Sequence, residues 1–275
     1  MIKSENLKIN QKNSVLYITF PSLEKTGCVK HGFTTKLGGV SKGIFESMNM
    51  GLNRGDNIED VKENYRRFCE VIGVKTESCV LSKQTHTTNV INVTLSDKGR
   101  GFTVPSDWNN IDGLITNEKG ITLVTQYADC VPLLFCDPVK KVVATSHAGW
   151  RGTVNEIGRI TVEKMVKDYG SDPKDICVGI GPSISKCCFE IDTPVYEEFC
   201  KMPFDITEFT EVKGNGKYNL DLQGINRKTL LNIGIKSGNI SVSDLCTKCH
   251  SDIFFSHRAT AGRRGNLAAF IALDF

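Results

Sequence analysis

A chain of 275 residues with 40% apolar and 24% charged residues has the composition of an ordinary globular protein. The formal net charge is only +3 and the basic residues are scattered, which excludes a nucleic-acid-binding stripe and a membrane-binding face. Because the chain begins with a mostly polar segment and no stretch reaches the ~20 apolar residues of a membrane span, we expect no signal peptide, no membrane association and a cytoplasmic location.

The first third of the chain predicts a strand, a long loop and a helix. The strand covers Ser14–Phe20, and the Gly-, Ser- and Asn-rich stretch from Lys30 to Asp56 predicts a loop. Apolar residues then recur at steps of three and four from Ile58 to Ile72, which predicts a helix with Asp56 at its cap.

The rest of the chain mixes short β-rich runs with helices. From Cys79 to Ala144 apolar runs alternate with turn residues, which predicts several strands. Further helices are expected at Val154–Tyr169, Pro194–Met202 and Leu222–Ile233. Further strands are expected at Asp175–Ile184 and at the last apolar run, Leu267–Leu273. This order favours an α+β fold, a mixed β-sheet core with flanking helices, in a single domain over residues 1–275.

Three of the β-rich runs end with a residue that binds transition metals. The run LSKQTH ends at His86, TLVTQYADC at Cys130 and VVATSH at His147. Strand ends converge into sites, so these side chains are expected to meet. Two imidazoles and a thiolate with a fourth position open are typical of catalytic zinc, and the long spacing is unlike that of structural zinc modules.

Other interpretations of the same residues stay open. A thiol paired with an imidazole is the nucleophile of cysteine hydrolases, so Cys130 and His147 could form a metal-free dyad. A zinc-bound thiolate is not free to attack, so the two interpretations exclude each other. A lone histidine after a strand is also commonly a hydrogen-bonded residue, and a cysteine between apolar runs is commonly a core thiol.

The stretch LCTKCHS matches the C-x-x-C-H signature of c-type haem attachment at Cys246, Cys249 and His250. Haem attachment normally requires an exported chain, and a zinc half-site requires a second ligand pair, whereas no other C-x-x-C occurs. The favoured interpretation is a turn with packed thiols. Most of the eleven cysteines are expected to be free.

Basic residues cluster near the end of the chain, at His257, Arg258, Arg263 and Arg264. The guanidinium group is suited to phosphate or carboxylate, although a solvated turn would have the same composition. No phosphate-binding loop of the Walker type and no strand-placed G-x-G-x-x-G occurs, so nucleotide binding in those modes is not indicated.

The motifs GFTTKLGGVSKGIFESMNMG, QTHTTNV, ADCVPLLF, SHAGWRGT, IGPSISKCCFE and DLCTKCHSDIFFSHR follow one another along the chain. In this order they resemble the YfiH-like family, also called the laccase-domain or polyphenol oxidase family. The resemblance runs from about Lys30 to Phe275 and implies a fold similar to toxin deamidases. It also implies a zinc site formed by His86, Cys130 and His147, with these residues catalytic.

The resemblance implies a small-molecule substrate, either purine nucleoside and phosphate or a muropeptide precursor. Members are described as phosphorolysing adenosine, inosine, guanosine and methylthioadenosine and as deaminating adenosine. The alternative is a peptidoglycan-editing amidase that removes misincorporated serine through Cys130 and His147 or through activated water. A third hypothesis is a non-enzymatic metal-binding or partner-binding protein.

Substrate contacts are expected at Asn49, Arg151, Arg258, Arg263 and Arg264. The family usually has arginine where this chain has Lys36, and a second basic residue where it has Ala259, so an anion contact could be lost here. Multicopper oxidation needs on the order of ten histidines, because imidazole is the main copper ligand. The chain has five, which argues against laccase chemistry.

Overall fold

Residues 2–274 are described by a computed structural model in which strands and helices alternate along the chain. The strands are β1 Lys8–Lys12, β2 Val15–Thr19, β3 Val29–Thr34, β4 Cys79–Leu81, β5 Val90–Asn92, β6 Gly113–Thr116, β7 Thr122–Tyr127, β8 Val131–Asp137, β9 Val142–Ala148, β10 Cys177–Ile180, β11 Glu190–Asp192, β12 Thr210–Gly214, β13 Lys217–Leu220, β14 Ile240–Val242 and β15 Leu267–Leu273. The α-helices are α1 Pro21–Glu24, α2 Ile58–Ile72, α3 Trp150–Val154, α4 Ile157–Tyr169, α5 Thr193–Cys200, α6 Leu222–Asn232 and α7 His257–Thr260.

Most of these strands form two six-stranded sheets. The first sheet has the order β1-β2-β3-β15-β7-β4 and the second has the order β14-β10-β8-β9-β6-β5. Neighbours are antiparallel except for the pairs β4–β7, β5–β6 and β10–β14, which are parallel. A small antiparallel sheet, β11-β13-β12, lies outside them.

The central strands of the first sheet are buried on both faces, whereas the edge strand β1 is partly exposed. Leu123 and Ile271 belong to the core shared with the second sheet, whereas their neighbours Val124 and Phe270 belong to the core under α2. Side chains alternate across a strand, so one continuous apolar run serves both faces. Each fully buried apolar side chain of this size contributes about 1.5–3 kcal/mol to folding.

The second sheet alternates in the same way. Leu134 and Val143 pack against the first sheet, whereas Phe135 and Ala144 belong to the core that includes residues of α4 and α6. The layers are therefore helix, sheet, sheet and helices, which confirms the expected single-domain α+β fold. Over residues 2–274, no helix has both the length and the apolar content of a membrane span.

Helix α2 matches its predicted range, but its cap does not. Asn57, not Asp56, is the N-cap and accepts a hydrogen bond from the backbone N–H of Glu59, as expected of an asparagine at this position. Gly73 ends the helix in the left-handed conformation, at φ +76°.

Two other elements differ from their predicted bounds. The expected loop from Lys30 onwards begins as β3, because Gly32 lets this strand approach α2; a Cβ there would lie 3.1 Å from side-chain atoms of Phe68 and Ile72. The expected helix Val154–Tyr169 corresponds to α4, which begins at Ile157 because Glu156 before it adopts φ +53°, and the short helix α3 precedes it. Strands β1, β11, β12, β13 and β14 were missed.

The connection from β7 to β8 takes the chain from the first sheet to the second within three residues, Ala128, Asp129 and Cys130. Asp129 has φ +81°, a conformation uncommon for a residue other than glycine. This tight crossing places Cys130 at the seam between the two sheets.

Candidate metal centre and pocket

His86, Cys130 and His147, the residues predicted as metal ligands, come together in the structure. Their ligand atoms all lie within 4.8 Å of one another, and we call them the histidine–cysteine cluster. His86 lies in the loop between β4 and β5, and His147 lies near the end of β9. The register of β8 and β9 pairs Val131 with Ala148, which brings the adjacent Cys130 beside His147.

Gly149, which follows β9, makes room for this cluster. A Cβ atom at this position would lie 2.6 Å from Nδ1 of His86 and 3.1 Å from Sγ of Cys130. Its φ of −66° is open to any residue, so the requirement for glycine here is one of space and not of backbone conformation.

Asp112 connects the loop of His86 to the ring of His147. It was not predicted from the sequence. It is fully buried, and its carboxylate accepts hydrogen bonds from the backbone N–H groups of Thr85, His86 and Thr87 at 2.8–3.1 Å. Its Oδ1 atom also lies 2.8 Å from Nδ1 of His147. A carboxylate on one ring nitrogen orients the imidazole, so Nε2 of His147 is left for the cluster.

The charges in the cluster shift three pKa values. Burial acts to raise the pKa of Asp112, but the hydrogen bond and charge of His147 outweigh it and hold the pKa at about 2. Burial acts to lower the pKa of His147, but the charge of Cys130 and the hydrogen bond that His147 donates to Asp112 raise it to about 9. Burial, together with the charge of His147, lowers the pKa of His86.

The donor set fits a transition metal. Two imidazole nitrogens and one thiolate are ligands that Zn²⁺ prefers, and the space at Gly149 is kept clear of side-chain atoms. Without a metal, the same order of Cys130, His147 and Asp112 is that of a thiol, a base and an orienting carboxylate. The geometry is thus compatible with both interpretations of the sequence.

The cluster opens into a pocket of about 520 Å³, a volume within the range of small-molecule sites. Ile184 and Phe189 are apolar lining residues. Polar and basic side chains, with their hydrogen-bonding groups, line much of the rest: Asn53, Arg54, Ser82, Lys83, Gln84, Gln126, Tyr127, Asp129, His257, Arg258, Arg264 and Asn266.

Asp129, next to Cys130, ties the pocket to the region around α7. Its Oδ2 atom accepts a hydrogen bond from the backbone N–H of Arg258 at 2.7 Å, and its Oδ1 atom accepts one from the hydroxyl of Thr247 at 2.6 Å. Its backbone carbonyl accepts one from the N–H of Ile184 at 2.9 Å. Asp129 of the ADC motif therefore positions two lining residues of the pocket, Ile184 and Arg258.

The predicted anion-binding arginines divide into two groups. Arg258 and Arg264 line the pocket, and Arg54, which was not predicted, lines it as well. Arg263 is exposed and lines a different cavity, and Arg151 is exposed and stacks on the ring of Trp150 at 4.1 Å. Neither Arg263 nor Arg151 lines this pocket, and their expected substrate contacts stay predictions.

Asn49 does not line this pocket either. It is fully buried, and its Oδ1 atom accepts hydrogen bonds from the backbone N–H groups of Gly51 and Asn266, while Nδ2 donates to Asp56. It orders the loop that carries Arg54. Lys36 donates to the backbone carbonyl of Ser251 at 2.6 Å and does not line this pocket.

The sequence matches the family model described as multi-copper polyphenol oxidoreductase laccase over residues 30–274. The purine nucleoside phosphorylase YlmD of Bacillus subtilis (strain 168) is 41% identical over 243 residues, which cover 88% of this chain and 87% of that protein. The crystal structure of the hypothetical protein YfiH of Bacillus licheniformis matches with a TM-score of 0.90 and 33% identity, covering 97% of this chain and 99% of that chain. The crystal structure of YlmD of Geobacillus stearothermophilus matches with a TM-score of 0.87 and 36% identity, with the same two coverages. The chain therefore belongs to the family described as multi-copper polyphenol oxidoreductase laccase.

Proposed function

We propose that this protein is a zinc-dependent purine nucleoside phosphorylase that cleaves adenosine, inosine, guanosine and methylthioadenosine and also deaminates adenosine. The relatives named purine nucleoside phosphorylase support the reaction class. The observation that carries the proposal is a buried, unpartnered guanidinium donor in the same pocket as the histidine–cysteine cluster.

That donor is Nε of Arg264, which is buried and has no hydrogen-bond partner among the described residues. Leaving a buried charged donor unsatisfied is costly, so a ligand that accepts from it gains this energy. Phosphate is suited to such a contact because it presents several acceptor oxygens to a planar guanidinium.

The surroundings of Arg264 also favour an anion. Burial, together with the positive charge of Arg54, lowers its pKa to about 10. His257 lies beside the guanidinium, with its Nδ1 atom 3.5 Å from Nη2. A phosphate bound among these groups relieves the repulsion between two like charges, which a neutral water molecule does not. This supports phosphorolysis as the main reaction.

The other part of the site is formed by His86, Cys130 and His147, which would hold Zn²⁺. When bound, the ion supplies Lewis-acid polarisation of a reacting oxygen atom. Asp112 fixes the ring of His147 so that Nε2 points at the cluster, and Ile184 and Phe189 form an apolar part of the pocket wall. Only two of the five histidines lie in this cluster, which argues against laccase chemistry.

Phosphate dependence tests the reaction. Purified protein is incubated with adenosine, with and without phosphate, and the products are separated by chromatography. Ribose 1-phosphate and adenine formed only with phosphate support the proposal. Inosine alone, in both mixtures, would identify a deaminase and contradict phosphorolysis.

The phosphate contact has a matched pair of variants. Replacing one charge-assisted hydrogen-bonding group costs about 1.5–3 kcal/mol, so Arg264→Gln is expected to raise KM for phosphate about 10- to 100-fold. The control is Arg263→Gln, the exposed neighbour that lines a different cavity. Equal effects in both variants would show that general surface charge, and not a contact in this pocket, matters.

The metal assignment has its own test. Elemental analysis of Cys130→Ala is expected to show about one zinc ion per chain fewer than the wild type. Equal zinc in the two proteins would contradict the ligand set.

The second candidate is the amidase, favoured by the ordered contacts from Cys130 to His147 to Asp112. The thiolate of Cys130 would attack an amide next to serine in a muramyl precursor, and His147 would protonate the leaving amine. A deletion strain that accumulates serine-containing muropeptides with an unchanged purine pool would favour the amidase over the phosphorylase.

A further inference from the structure

Four cysteines outside the histidine–cysteine cluster converge on one point of the surface. The sulfur atoms of Cys187, Cys188, Cys246 and Cys249 all lie within 4.8 Å of one another, and we call these residues the four-cysteine cluster. The Sγ atom of Cys249 is 3.7 Å from that of Cys187 and 3.5 Å from that of Cys188. Since 62 residues separate Cys187 from Cys249, the fold and not local sequence brings them together.

These separations fit ligands around one metal ion. Four sulfur atoms at about 2.3 Å from a tetrahedral Zn²⁺ lie about 3.8 Å from one another. A disulfide would require about 2.05 Å. The sulfur pairs that Cys249 makes at 3.5 and 3.7 Å therefore correspond to edges of a coordination tetrahedron and not to a covalent bond.

Backbone contacts hold the two cysteine-bearing turns side by side without any metal. Ser183 and Cys246 form a parallel β-bridge, and the backbone N–H of Thr247 donates to the carbonyl of Ser183 at 3.0 Å. The N–H of Ser185 donates to Sγ of Cys246 at 3.4 Å, and the N–H groups of the C-x-x-C turn point at the same sulfur. Such donors favour the thiolate, the form that binds metal.

We propose that the four-cysteine cluster is a second, structural metal centre, which binds Zn²⁺ through four thiolates. With all four positions filled by protein, it has no place for substrate. Cys187 and Cys249 are exposed, so the ion can enter from solvent, whereas Cys246 is buried at the base. Cys187 and Cys188 thus supply the second ligand pair that the C-x-x-C pair lacked in the sequence. The sequence predicted packed thiols at this turn, whereas the thiol of Cys249 is exposed.

The four-cysteine cluster lies next to residues that form or support the pocket wall. Phe189, which lines the pocket, directly follows Cys188, and Thr247, which donates to Asp129, lies between the other two cysteines. An ion here ties the two turns together and so fixes Phe189 and the residues around Asp129. This role holds for whichever reaction the pocket performs.

Metal counting with matched variants tests the proposal. Wild-type protein is expected to carry about two zinc ions, Cys249→Ser about one, Cys130→Ala about one and the double variant none. The control is Cys200→Ser, which removes an exposed cysteine outside both clusters and is expected to keep both ions. Wild-type protein whose zinc is entirely lost in Cys130→Ala would overturn the proposal, as would iron in place of zinc.

A second measurement does not depend on the stability of the Cys249→Ser variant. Cys130→Ala protein, with all four cluster cysteines intact, is stripped of metal and reconstituted with Co²⁺ alone. Intense thiolate-to-cobalt charge-transfer absorption and tetrahedral d–d bands are expected. Their absence would contradict the four-thiolate site. Thiol titration of denatured wild-type protein is expected to find all eleven cysteines free, and a deficit of two would identify a disulfide instead.

Discussion

The histidine–cysteine cluster lies beside two buried strands and one loop, whereas the four-cysteine cluster lies on two surface turns. The first combines imidazole nitrogen and thiol sulfur atoms, is held by the buried carboxylate of Asp112 and opens into a pocket. The second has four sulfur atoms, is held by backbone N–H groups and lines none of the pocket itself. The same ion is thus expected to be reactive in one place and structural in the other, and the supporting groups decide which.

Gly149→Ala is the sharpest way to break the first cluster alone. The new Cβ would lie 2.6 Å from Nδ1 of His86, while the backbone angle is acceptable to alanine. We expect kcat/KM to fall on the order of 10²- to 10³-fold, with the loss of about one zinc ion and retention of the second.

Gly238→Ala is the control for that variant, because nothing lies within 4 Å of its Cβ position. Its activity and zinc content should equal those of the wild type. Full activity in Gly149→Ala would show that the space at this glycine is not part of the metal site.

Outside both clusters, His31 is expected to make the stability of the fold depend on pH. This histidine is buried, its Nε2 accepts the backbone N–H of Phe20, and burial lowers its pKa from 6.5 to about 4. Between pH 6.5 and about pH 4, His31 binds a proton in the unfolded chain but not in the folded chain. The free energy of unfolding is therefore expected to fall by about 3 kcal/mol as the pH decreases through this window.

Comparison with His31→Gln isolates this contribution, since the glutamine oxygen accepts the same hydrogen bond but does not titrate. Metal release from the clusters is common to both proteins, so only the difference between their denaturation curves is used. Curves with identical pH dependence would rule out His31 as the source.

Asp112→Asn probes how the first cluster is supported. Asparagine keeps the volume but replaces one acceptor oxygen by a donor, which disturbs the contact with Nδ1 of His147. Zinc affinity at the histidine–cysteine cluster, measured by chelator competition, is expected to fall about 10- to 100-fold. The four-cysteine cluster should be unaffected.

Asp137→Asn is the matched control, a buried carboxylate at the far end of β8 that accepts the backbone N–H groups of Val139 and Lys140. It should leave both zinc affinities unchanged. If it weakens the first cluster as much as Asp112→Asn does, the loss reflects the stability of the sheet.

Thr247→Val gives the smallest effect and tests the link between the two clusters. It removes the hydroxyl that donates to Asp129 at 2.6 Å and costs about 1 kcal/mol, so kcat/KM is expected to fall about fivefold with both ions retained. Thr26→Val, which removes a hydroxyl contact beside α1, is the control. Loss of zinc from Thr247→Val would mean that this residue supports a metal site and not the pocket wall.

The three residues of the histidine–cysteine cluster could be predicted from the sequence. His86, Cys130 and His147 each end a β-rich run, and buried strands have a strong apolar signature. Strand β15 matched its predicted range for the same reason.

Residues whose role depends on partners that are distant in sequence could not be predicted. Asp112 in NNIDG has the composition of a turn, and only the fold places it behind His147. Arg54 lies in a Gly- and Asn-rich loop, where no periodicity marks it. Cys187 and Cys188 are adjacent, so a search for a second C-x-x-C passes over them.

Strand β15 follows all the other strands along the chain, yet it lies in the middle of its sheet between β3 and β7. During synthesis, β3 and β7 therefore have no partner at this position until residues 267–273 have left the ribosome. We expect this sheet to close late, with two apolar edges exposed in the nascent chain and a need for chaperone protection until then. A stalled chain that ends before Leu267 should accordingly be cut rapidly by protease, and resistance equal to that of the finished protein would show that the sheet closes without β15.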